Sequence, residues 1–526
     1  MREPRWLILI AFLGLLAAPF LFRRSTDLPP PADARQIIIL TPHNEQIRHE
    51  FGRAFEQWHE THYGERVSVV WSVPGGTNDI RRMLESQFAA AARDGRPVGG
   101  NADLLFGGGQ YEHDKIKQGV TITIDGQAVR VPISEPVTFH PRDLRRHFGA
   151  ATLTEVYGGA DIGGNPLFDP EGHWLGAALS GFGIVYNRPA LTELGLPPPR
   201  GWVDLTHPRL LGWVALGNPA QSGSTAKSFD TVLQRAGWTR GWQVLRRAAA
   251  NARYFSASSS KVPIDVSQGD AAAGVCIDFY GRYQSQAIAD AGDPDRLGYI
   301  DPPGEGAIDA DPVSLLRGAP QPALATRFML FCLTDEAQSL WQFRHDEPRD
   351  DGLGPDRYEL RRLPIIRGFY TRYLHRFVDR VNPYDFAQPF DTFDPAYGAL
   401  LPVLFSAMAI DQHAALTRAW RAIVSHPAYP PGGGLVTAAE VTDPALREML
   451  ERFDAMPTIP GPQGATYSLA DPSVLAAVRD GWLRGGWSDA ELWPRERGPE
   501  ETLRSLAAAF FRGNYEWVAE ASGIRR

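Results

Sequence analysis

A short loop in the middle of the chain carries the residue types of an anion-binding turn. The stretch G-N-P-A-Q-S-G-S-T-A-K-S-F, Gly217 to Phe229, follows an apolar run and precedes a predicted helix. Free backbone amides and hydroxyls at a helix N-terminus bind anions and other polar ligands. The same residues also make an ordinary turn in which Ser or Thr caps the helix. The candidate ligand-binding residues of this loop are Ser222, Gly223, Ser224 and Thr225.

Three further loops with unusual composition lie within the first 110 residues. They are T-P-H-N at Thr41–Asn44, P-G-G-T-N at Pro74–Asn78 and G-G-G-Q at Gly107–Gln110, and each follows a predicted strand. Gly, Pro and Asn also make plain turns. Ligands of open α/β sheets bind at the carboxyl ends of the strands, so three such loops at one edge favour a site. Its candidate ligand-binding residues are Thr41, His43, Asn44, Gly75, Gly76, Thr77, Gly108 and Gln110.

Two motifs that suggest catalysis do not meet its requirements. His59–His62 reads H-E-T-H, one residue short of the zinc-protease spacing that places two histidines one helical turn apart. The run Gly107–Gly109 lacks the lysine and the length of a phosphate-binding NTPase loop. We therefore expect no catalytic residue here, and the protein is not predicted to be an enzyme.

The elements that position these loops alternate between strand and helix. The apolar runs Ile37–Leu40, Val67–Val73 and Ala102–Phe106 predict strands. Between the first two, apolar side chains recur on one helical face from Ile47 to Trp58. The strand spacing of about 30 residues is that of βαβ units, so the first part of the chain is predicted to be α/β with a parallel sheet.

Later segments continue the mixed pattern and then become helical. Residues 121–172 are rich in Gly, Pro, His and Asp and predict an irregular insertion. Strand character returns at Gly181–Asn187 and again at Ala271–Ile277, and a pair of capped helices follows Gly318. Beyond residue 349 the pattern is helical and aromatic.

Length, charge and cysteine content narrow the class of protein. A chain of 526 residues predicts two or three domains. Its net charge of -8 argues against a nucleic-acid partner. Cys276 and Cys332 each lie in an apolar stretch, which favours buried free thiols over a disulfide or a zinc site.

The first residues predict a membrane or export segment. Arg2 and Arg5 precede the apolar run Trp6–Phe22, and two arginines close it. We favour an uncleaved inner-membrane anchor, with a cleaved signal as the alternative, because Pro19 would follow the available cleavage site. The proline-rich stretch after the run predicts a stiff tether, so residues 1–35 form the anchor and tether.

Four segments together resemble the periplasmic solute-binding proteins of ABC transporters, in the branch of the iron(III)-binding proteins. Gly181–Asn187 resembles the crossing strand of that family, and Pro197–Thr225 its tryptophan, Asp-Leu and Ser-Gly block. Ser258–Tyr280 is similar to its strand that leads to a tyrosine-bearing loop. Asp311–Trp341 resembles its closing pair of helices. In order, the segments cover residues 36 to 345.

The resemblance implies the bilobal periplasmic-binding-protein (type II) fold, in which two α/β lobes close over a ligand. The implied parts are lobe 1 at residues 36–178 and 303–350, lobe 2 at residues 179–302, and a mainly helical C-terminal extension at residues 351–526. It also implies a periplasmic or other extracytoplasmic location and an ABC transporter permease as the membrane partner.

The resemblance also supplies ligand candidates. Iron-binding relatives place a histidine where His43 lies and two adjacent tyrosines near Tyr280, and they hold a synergistic anion beside the metal. Here Tyr280 is flanked by Phe279 and Gly281, so the tyrosine pair is incomplete. Both Fe(III) with a synergistic anion, held by His43 and Tyr280, and an anionic organic or phosphorylated ligand stay open. Asp278 either orients this loop or binds the ligand.

Two other functions are weighed against transport. A ligand sensor that signals to a membrane partner would use the same fold and would suit the anchor and the C-terminal extension. An extracytoplasmic hydrolase on the same fold is the third possibility, but the sequence pairs no nucleophile with a base.

Overall fold

The computed structural model describes residues 34–521 except 125, 348, 349, 486 and 488–497. The predicted anchor at residues 6–22 lies outside the described residues. Both cysteines are buried and unpaired, as the sequence indicates.

Strands and helices alternate up to residue 342, and helices dominate afterwards. The strands are β1 (Arg35–Leu40), β2 (Val67–Ser72), β3 (Leu104–Phe106), β4 (Val120–Ile124), β5 (Gln127–Val131), β6 (Ser134–Glu135), β7 (Asp161–Ile162), β8 (Asn165–Pro166), β9 (Leu175–Asn187), β10 (Val214–Gly217), β11 (Ala252–Ser256), β12 (Ala273–Ile277), β13 (Leu297–Ile300), β14 (Ile308–Leu316), β15 (Leu363–Pro364), β16 (Thr458–Pro460) and β17 (Thr466–Ser468). The helices are α1 (Glu45–Tyr63), α2 (Thr77–Arg93), α3 (Gln110–Gln118), α4 (Pro141–Phe148), α5 (Leu153–Tyr157), α6 (Arg188–Glu193), α7 (Gly223–Ala236), α8 (Trp238–Ala250), α9 (Lys261–Gln268), α10 (Asp278–Asp290), α11 (Pro322–Phe331), α12 (Asp335–Gln342), α13 (Arg367–Tyr373), α14 (Pro395–Phe405), α15 (His413–Val424), α16 (Pro444–Asp454), α17 (Leu475–Val478) and α18 (Pro499–Ala521).

One large sheet runs through the molecule in the order β11-β10-β12-β9-β14-β3-β1-β2. At one end β1 pairs in parallel with β2 and β3, and at the other β10 pairs in parallel with β11 and β12. The long strands β9 and β14 are antiparallel and join the two ends. Every residue of both strands is buried. The predicted α/β class with a helical C-terminal region is confirmed.

The first hydrophobic core lies around β1, β3 and α1. The predicted helical face is correct, because Ile47, Phe51, Phe55 and Trp58 are all buried. Their rings and those of the α11 helix pack edge-to-face, as between Phe55 and Phe328 with ring centroids 5.0 Å apart. This packing holds the carboxyl end of β1 in place, since only four residues separate that strand from α1.

The second core combines residues before and after the closing helices. It joins the strands and helices between Ile184 and Val275 with apolar residues between Ala396 and Val518. Many of the apolar residues between Ile277 and Phe377 belong to the first core, where β15 pairs with β9 and Phe369 is fully buried. The C-terminal extension therefore contributes apolar side chains to both hydrophobic cores. It covers an apolar face of each half. The lobe boundaries given above stay a prediction.

The stretch 121–172 is more regular than its composition indicates. Two hairpins, β4–β5 and β7–β8, occur there together with the short helices α4 and α5. Its glycines and prolines cluster at the connections, as at Gly149 and Gly158, which end the two helices with left-handed φ angles. Composition alone misread these turn residues as irregular structure.

Within the described residues, no single helix is long and apolar enough to cross a bilayer. One pair, Pro395–Ile410 with His413–Val424, reaches that length and apolarity together but bends by 69° at the break.

A buried ion pair fixes the C-terminal segment to α8. Arg247 is fully buried, and its two terminal nitrogens lie 2.7 and 2.9 Å from the Asp454 carboxylate. Nη2 also donates to the Val436 carbonyl over 2.8 Å. Arg247 has no water to replace a lost partner, and the Asp454 side chain keeps only 11% of its surface exposed.

Arg247→Met is expected to lower the free energy of unfolding by about 3–5 kcal/mol, because it leaves the Asp454 carboxylate uncompensated. Denaturant unfolding followed by tryptophan fluorescence measures the change. Arg96→Met is the matched control, since Arg96 forms an exposed pair with Asp94 at 2.8 Å and should cost about 0–1 kcal/mol. Equal stability of the two variants would contradict the role assigned to Arg247.

Candidate functional site

The first predicted loop begins the site at the end of β1. Thr41 and His43 are buried, and Thr41 Oγ1 accepts from the His43 amide over 3.1 Å. Asn44 caps α1, since its Oδ1 accepts from the Ile47 amide at 3.1 Å. Thus the loop combines an ordinary cap at Asn44 with a buried imidazole one residue earlier.

Glycines bring the other two loops of the first half against this one. Gly107 and Gly108 have φ angles of +99° and +104°, which side chains rarely adopt. A Cβ at Gly107 would lie 2.5 Å from His43 Nε2, and one at Gly108 would clash with the Thr77 side chain. The predicted residues His43, Thr77 and Gly108 therefore meet at one place.

Three of the predicted loop residues lie at helix starts and have local structural surroundings of their own. Gly75 and Gly76 precede α2, where the Asp79 carboxylate already accepts from the Gly76 amide over 3.2 Å. Gln110 begins α3 and its side chain donates to Asp114 at 3.2 Å. The α2 end consequently has fewer free amides for a ligand than the sequence indicates.

His113 supports the glycine loop from behind. It is fully buried, and its ring nitrogens lie 2.7 Å from Ser314 Oγ and 3.2 Å from the Gly107 carbonyl oxygen. Burial lowers its pKa to about 4, so the imidazole is neutral. It is a positioning group for the loop, with both nitrogens already engaged.

The loop between β10 and α7 both caps its helix and leaves backbone amides free for a ligand. Ser222 Oγ accepts from the Thr225 amide over 3.3 Å and so caps α7. Ser224 Oγ lies 3.0 Å from Ser259 Oγ. The first-turn amides of Gly223 and Ser224 have no acceptor within the helix, which leaves them to an external ligand.

A charged cluster that the sequence reasoning missed lies between these loops. Arg362 is buried and forms an ion pair with Asp311. Its Nη1 lies 3.0 Å from His43 Nε2, and its Nη2 donates to Ser180 Oγ over 2.7 Å. His43 Nε2 is also 3.4 Å from Asp311 Oδ2. The cluster joins the β1 loop, both central strands and the segment after α12.

Lys227 connects α7 to the same central strand. It lies one helical turn after Gly223, and its Nζ is 3.7 Å from Asp309 Oδ1. Asp309 and Asp311 are both on β14 and both buried. The Ser222–Thr225 loop and the first-half loops thus approach the two aspartates from the two ends of the sheet.

The protonation states in this cluster follow from burial and neighbouring charge. Burial lowers the pKa of His43, so its ring is neutral. Burial alone would raise the pKa of Asp311, but the Arg362 guanidinium and His43 outweigh it and the net shift is downward. Burial raises the pKa of Asp309 despite the opposing effect of Lys227.

Several buried polar atoms of these residues have no hydrogen-bond partner among the described residues. They are His43 Nδ1, Thr225 Oγ1, Asp309 Oδ1, Asp311 Oδ1 and Arg362 Nε. Native proteins pair nearly all buried polar atoms. Such unpartnered atoms also occur elsewhere among the described residues, as at Arg246 Nε and Tyr515 Oη, but four of the five named here belong to the two aspartates of β14 and to the two side chains that contact Asp311. A ligand or water bound beside β14 would satisfy these four.

Tyr280 and Asp278 lie in the first turn of α10, next to this cluster. The ring centroids of Phe279 and Tyr280 are 4.1 Å apart, and the Arg362 guanidinium lies 4.4 Å from the Phe279 centroid. Asp278 is fully buried, and its Oδ1 accepts from the Phe279 amide at 2.8 Å. Burial raises the pKa of Asp278 to about 7, with Arg282 opposing the shift.

Two features of the described residues lie outside this site. A cavity of about 500 Å³ is lined by Tyr370, Thr371, Leu374, His375, Arg380 and Asn382. In the part of the chain that the structure describes, one group of three side chains lies close enough together to hold a metal ion, namely His345, Asp346 and Glu359. It contains neither His43 nor Tyr280.

A sequence signal for the missed residues does exist. Asp309 and Asp311 alternate with apolar residues in I-D-A-D-P-V, an unusual place for two carboxylates because the strand is central and buried. Arg362 has no comparable signal, since it is 319 residues from His43 in the chain.

Asp278→Asn is expected to change how stability depends on pH. The native carboxyl keeps its proton up to about pH 7, whereas the unfolded one loses it near 3.8. The native state therefore binds more protons in this window, and the wild-type protein loses stability as pH rises through it. Relative to wild type, the variant should gain up to about 4 kcal/mol between pH 4 and 7.

Denaturant unfolding at intervals from pH 4 to 8 measures this difference. Asp94→Asn, at an exposed position, should follow the wild-type curve. A stability difference between Asp278→Asn and wild type that stays constant with pH would show that the Asp278 carboxyl does not titrate in this window.

Part of the chain is similar to known proteins. Residues 158–351 match the family described as bacterial extracellular solute-binding protein. The phosphoglycerate transport regulatory protein PgtC of Salmonella typhimurium is 35% identical over 108 residues, which are 20% of this chain and 27% of that protein. An uncharacterized protein of Haemophilus influenzae is 27% identical over 284 residues, covering 53% of this chain and 69% of that one. The chain thus spans about a quarter of the length of the Salmonella relative.

Solved structures of periplasmic binding proteins are similar at lower identity. AfuA of Actinobacillus pleuropneumoniae, with fructose-6-phosphate bound, has a TM-score of 0.45 and 16% identity, covering 59% of this chain and 82% of that one. The ferric binding protein of Campylobacter jejuni has a TM-score of 0.45 and 13% identity, covering 73% and 99%. The match over residues 158–351 agrees with the resemblance to extracellular solute-binding proteins read from the sequence.

Proposed function

We propose that this protein captures a small anionic solute outside the cytoplasm and presents it to an ABC transporter permease. The observation that carries the proposal is the set of buried, unpartnered polar atoms around Arg362 and β14. A protein that only had to fold would gain stability by pairing these atoms. A binding protein leaves them for its ligand.

An anionic group suits the cationic and amide donors of the site. Arg362 and Lys227 supply two cations, and the α7 N-terminus supplies free amides and the positive end of the helix dipole. Guanidinium groups bind carboxylates and phosphates through paired hydrogen bonds. The relative named for phosphoglycerate transport supports a phosphorylated organic acid as the first ligand to test.

Closure of the two halves is the proposed mechanism. Lys227 comes from the half that contains α7, whereas His43 and Arg362 belong to the first core or contact it. A ligand that touches both sides favours the closed state by the free energy of the contacts made only there. No covalent step is needed.

Fe(III) is the weaker alternative as cargo. The Arg362 guanidinium lies 3.0 Å from His43 Nε2. It also lies over the ring of Phe279, the residue before Tyr280. A metal ion bound to His43 Nε2 would have to displace this guanidinium, which already lies within hydrogen-bond distance of that nitrogen. Burial also raises the pKa of Tyr280, which opposes formation of the phenolate that binds iron.

A ligand sensor is the second candidate function. The Salmonella relative is named a transport regulatory protein, which supports signalling to a membrane partner in place of delivery. Uptake of labelled ligand in cells that lack the gene distinguishes delivery from sensing. If the permease is expressed from an independent promoter, uptake still requires a protein that delivers the ligand but no longer requires a sensor. The proposed anchor at residues 6–22 is compatible with both functions.

Arg362→Gln is expected to weaken binding of 3-phosphoglycerate at least tenfold, about 1.4 kcal/mol, because it removes the buried cation of the site. Titration calorimetry and native mass spectrometry on residues 34–526 measure binding. Lys227→Gln should also weaken binding of 3-phosphoglycerate. This second variant tests the same site if Arg362→Gln fails to fold.

Arg372→Gln is the matched control, since Arg372 is half-exposed and pairs with Asp335 away from the site. It should bind like wild type, and all variants should melt cooperatively. Co-purification of stoichiometric Fe(III), together with unchanged phosphoglycerate binding in Arg362→Gln, would overturn the anion proposal.

A further inference from the structure

Two buried carboxylates lie on one face of the central strand β14. Asp309 and Asp311 are two residues apart, which places their side chains on the same side of the sheet, and each is only 4% exposed. Ala310 between them belongs to the first hydrophobic core. The fold thus aims two acidic groups, about 7 Å apart along the strand, at the region between the two halves.

Each carboxylate keeps one oxygen without a hydrogen-bond partner among the described residues. Asp311 uses Oδ2 for Arg362 and His43, which leaves Oδ1. Asp309 Oδ1 is 3.7 Å from Lys227 Nζ, beyond hydrogen-bond distance. Across from it, a Cβ at Gly109 would lie 3.6 Å from Asp309 Oδ2 and near no other atom outside its own neighbours. The backbone at Gly109 therefore leaves open space beside Asp309.

The charges of this cluster balance without a ligand. Arg362 and Lys227 are countered by Asp309 and Asp311, and burial lowers the pKa of His43, so the ring adds no charge. A bare inorganic anion placed here would leave both free carboxylate oxygens unpaired, because it carries no hydroxyl group that could donate to them.

We infer that the ligand is a polyhydroxylated organophosphate, whose hydroxyl groups donate to Asp309 Oδ1 and Asp311 Oδ1 while its phosphate is held by the α7 amides and Lys227. This inference rests on the proposed function and names the ligand class of the same site. Hydroxyl donors fit better than an ammonium group, because an ammonium here would lie next to Arg362 and Lys227. The aspartates are thus specificity-determining residues.

A pair of matched phosphates tests this assignment in the wild-type protein. Glycerol 1-phosphate and propyl phosphate have the same charge and carbon count and differ by two hydroxyl groups. Titration calorimetry should show that glycerol 1-phosphate binds at least tenfold more tightly, and that inorganic phosphate binds no better than propyl phosphate. Ethanolamine phosphate, the ammonium probe, should also bind more weakly than glycerol 1-phosphate.

Asp309→Ala locates the effect. It removes one acceptor, so the preference for glycerol 1-phosphate over propyl phosphate should fall at least threefold. The same substitution at exposed Asp94 should leave the preference unchanged. Because the ligand pair is first compared in the unaltered chain, a folding defect in the variant would leave the main test intact.

The outcomes separate the inference from the proposed function. Equal binding of propyl phosphate and glycerol 1-phosphate, or tighter binding of ethanolamine phosphate, would overturn the hydroxyl assignment and leave anion capture standing. Failure of all these phosphates, and of 3-phosphoglycerate, to bind would overturn the proposed function and the inference with it.

Discussion

The pairing of β9 with β14 is the constraint on which the rest of the structure depends. These two strands run antiparallel at the centre of the sheet, are buried along their whole length, and carry the parallel strands of both halves on their outer edges. Any polar side chain on them must find a partner in a neighbouring element or in a ligand, because water is excluded. Arg362 meets this requirement for Ser180 and Asp311 together. The Arg362 side chain therefore pairs the buried polar groups of both central strands and also supplies a cation to the candidate site.

Much of the architecture follows from local sequence patterns. The helical spacing from Ile47 to Trp58 predicted α1, and the apolar runs of the first 110 residues predicted three parallel strands. The loops at their carboxyl ends were correctly expected to lie together, and the close approaches at Gly107 and Gly108 show why glycine is required there. These features depend on residues within about 30 positions of one another, which is the range over which periodicity and turn chemistry act.

The charged centre of the site could not be predicted in the same way. Arg362 reaches His43 across more than 300 residues of chain, and no local pattern distinguishes it from the arginine beside it. That neighbour, Arg361, has a left-handed φ of 58° and pairs with Asp379, so the backbone turns the two guanidinium groups toward different partners. Asp309 carried a readable signal, since an acid in an apolar run requires an explanation, but its partner is set by tertiary packing alone.

The packing of the C-terminal segment against earlier residues has a consequence for how the chain folds during synthesis. Apolar residues from Ala396 to Val518 complete a core whose other members are residues 184 to 275. On a ribosome, these earlier residues emerge well before the segment that covers them. The second half cannot reach its final packing until synthesis is nearly finished, and its uncovered apolar face must be protected until then. The second half therefore stays incompletely folded for most of the synthesis of the chain. In that state chaperones can bind it, and it can pass through a narrow channel.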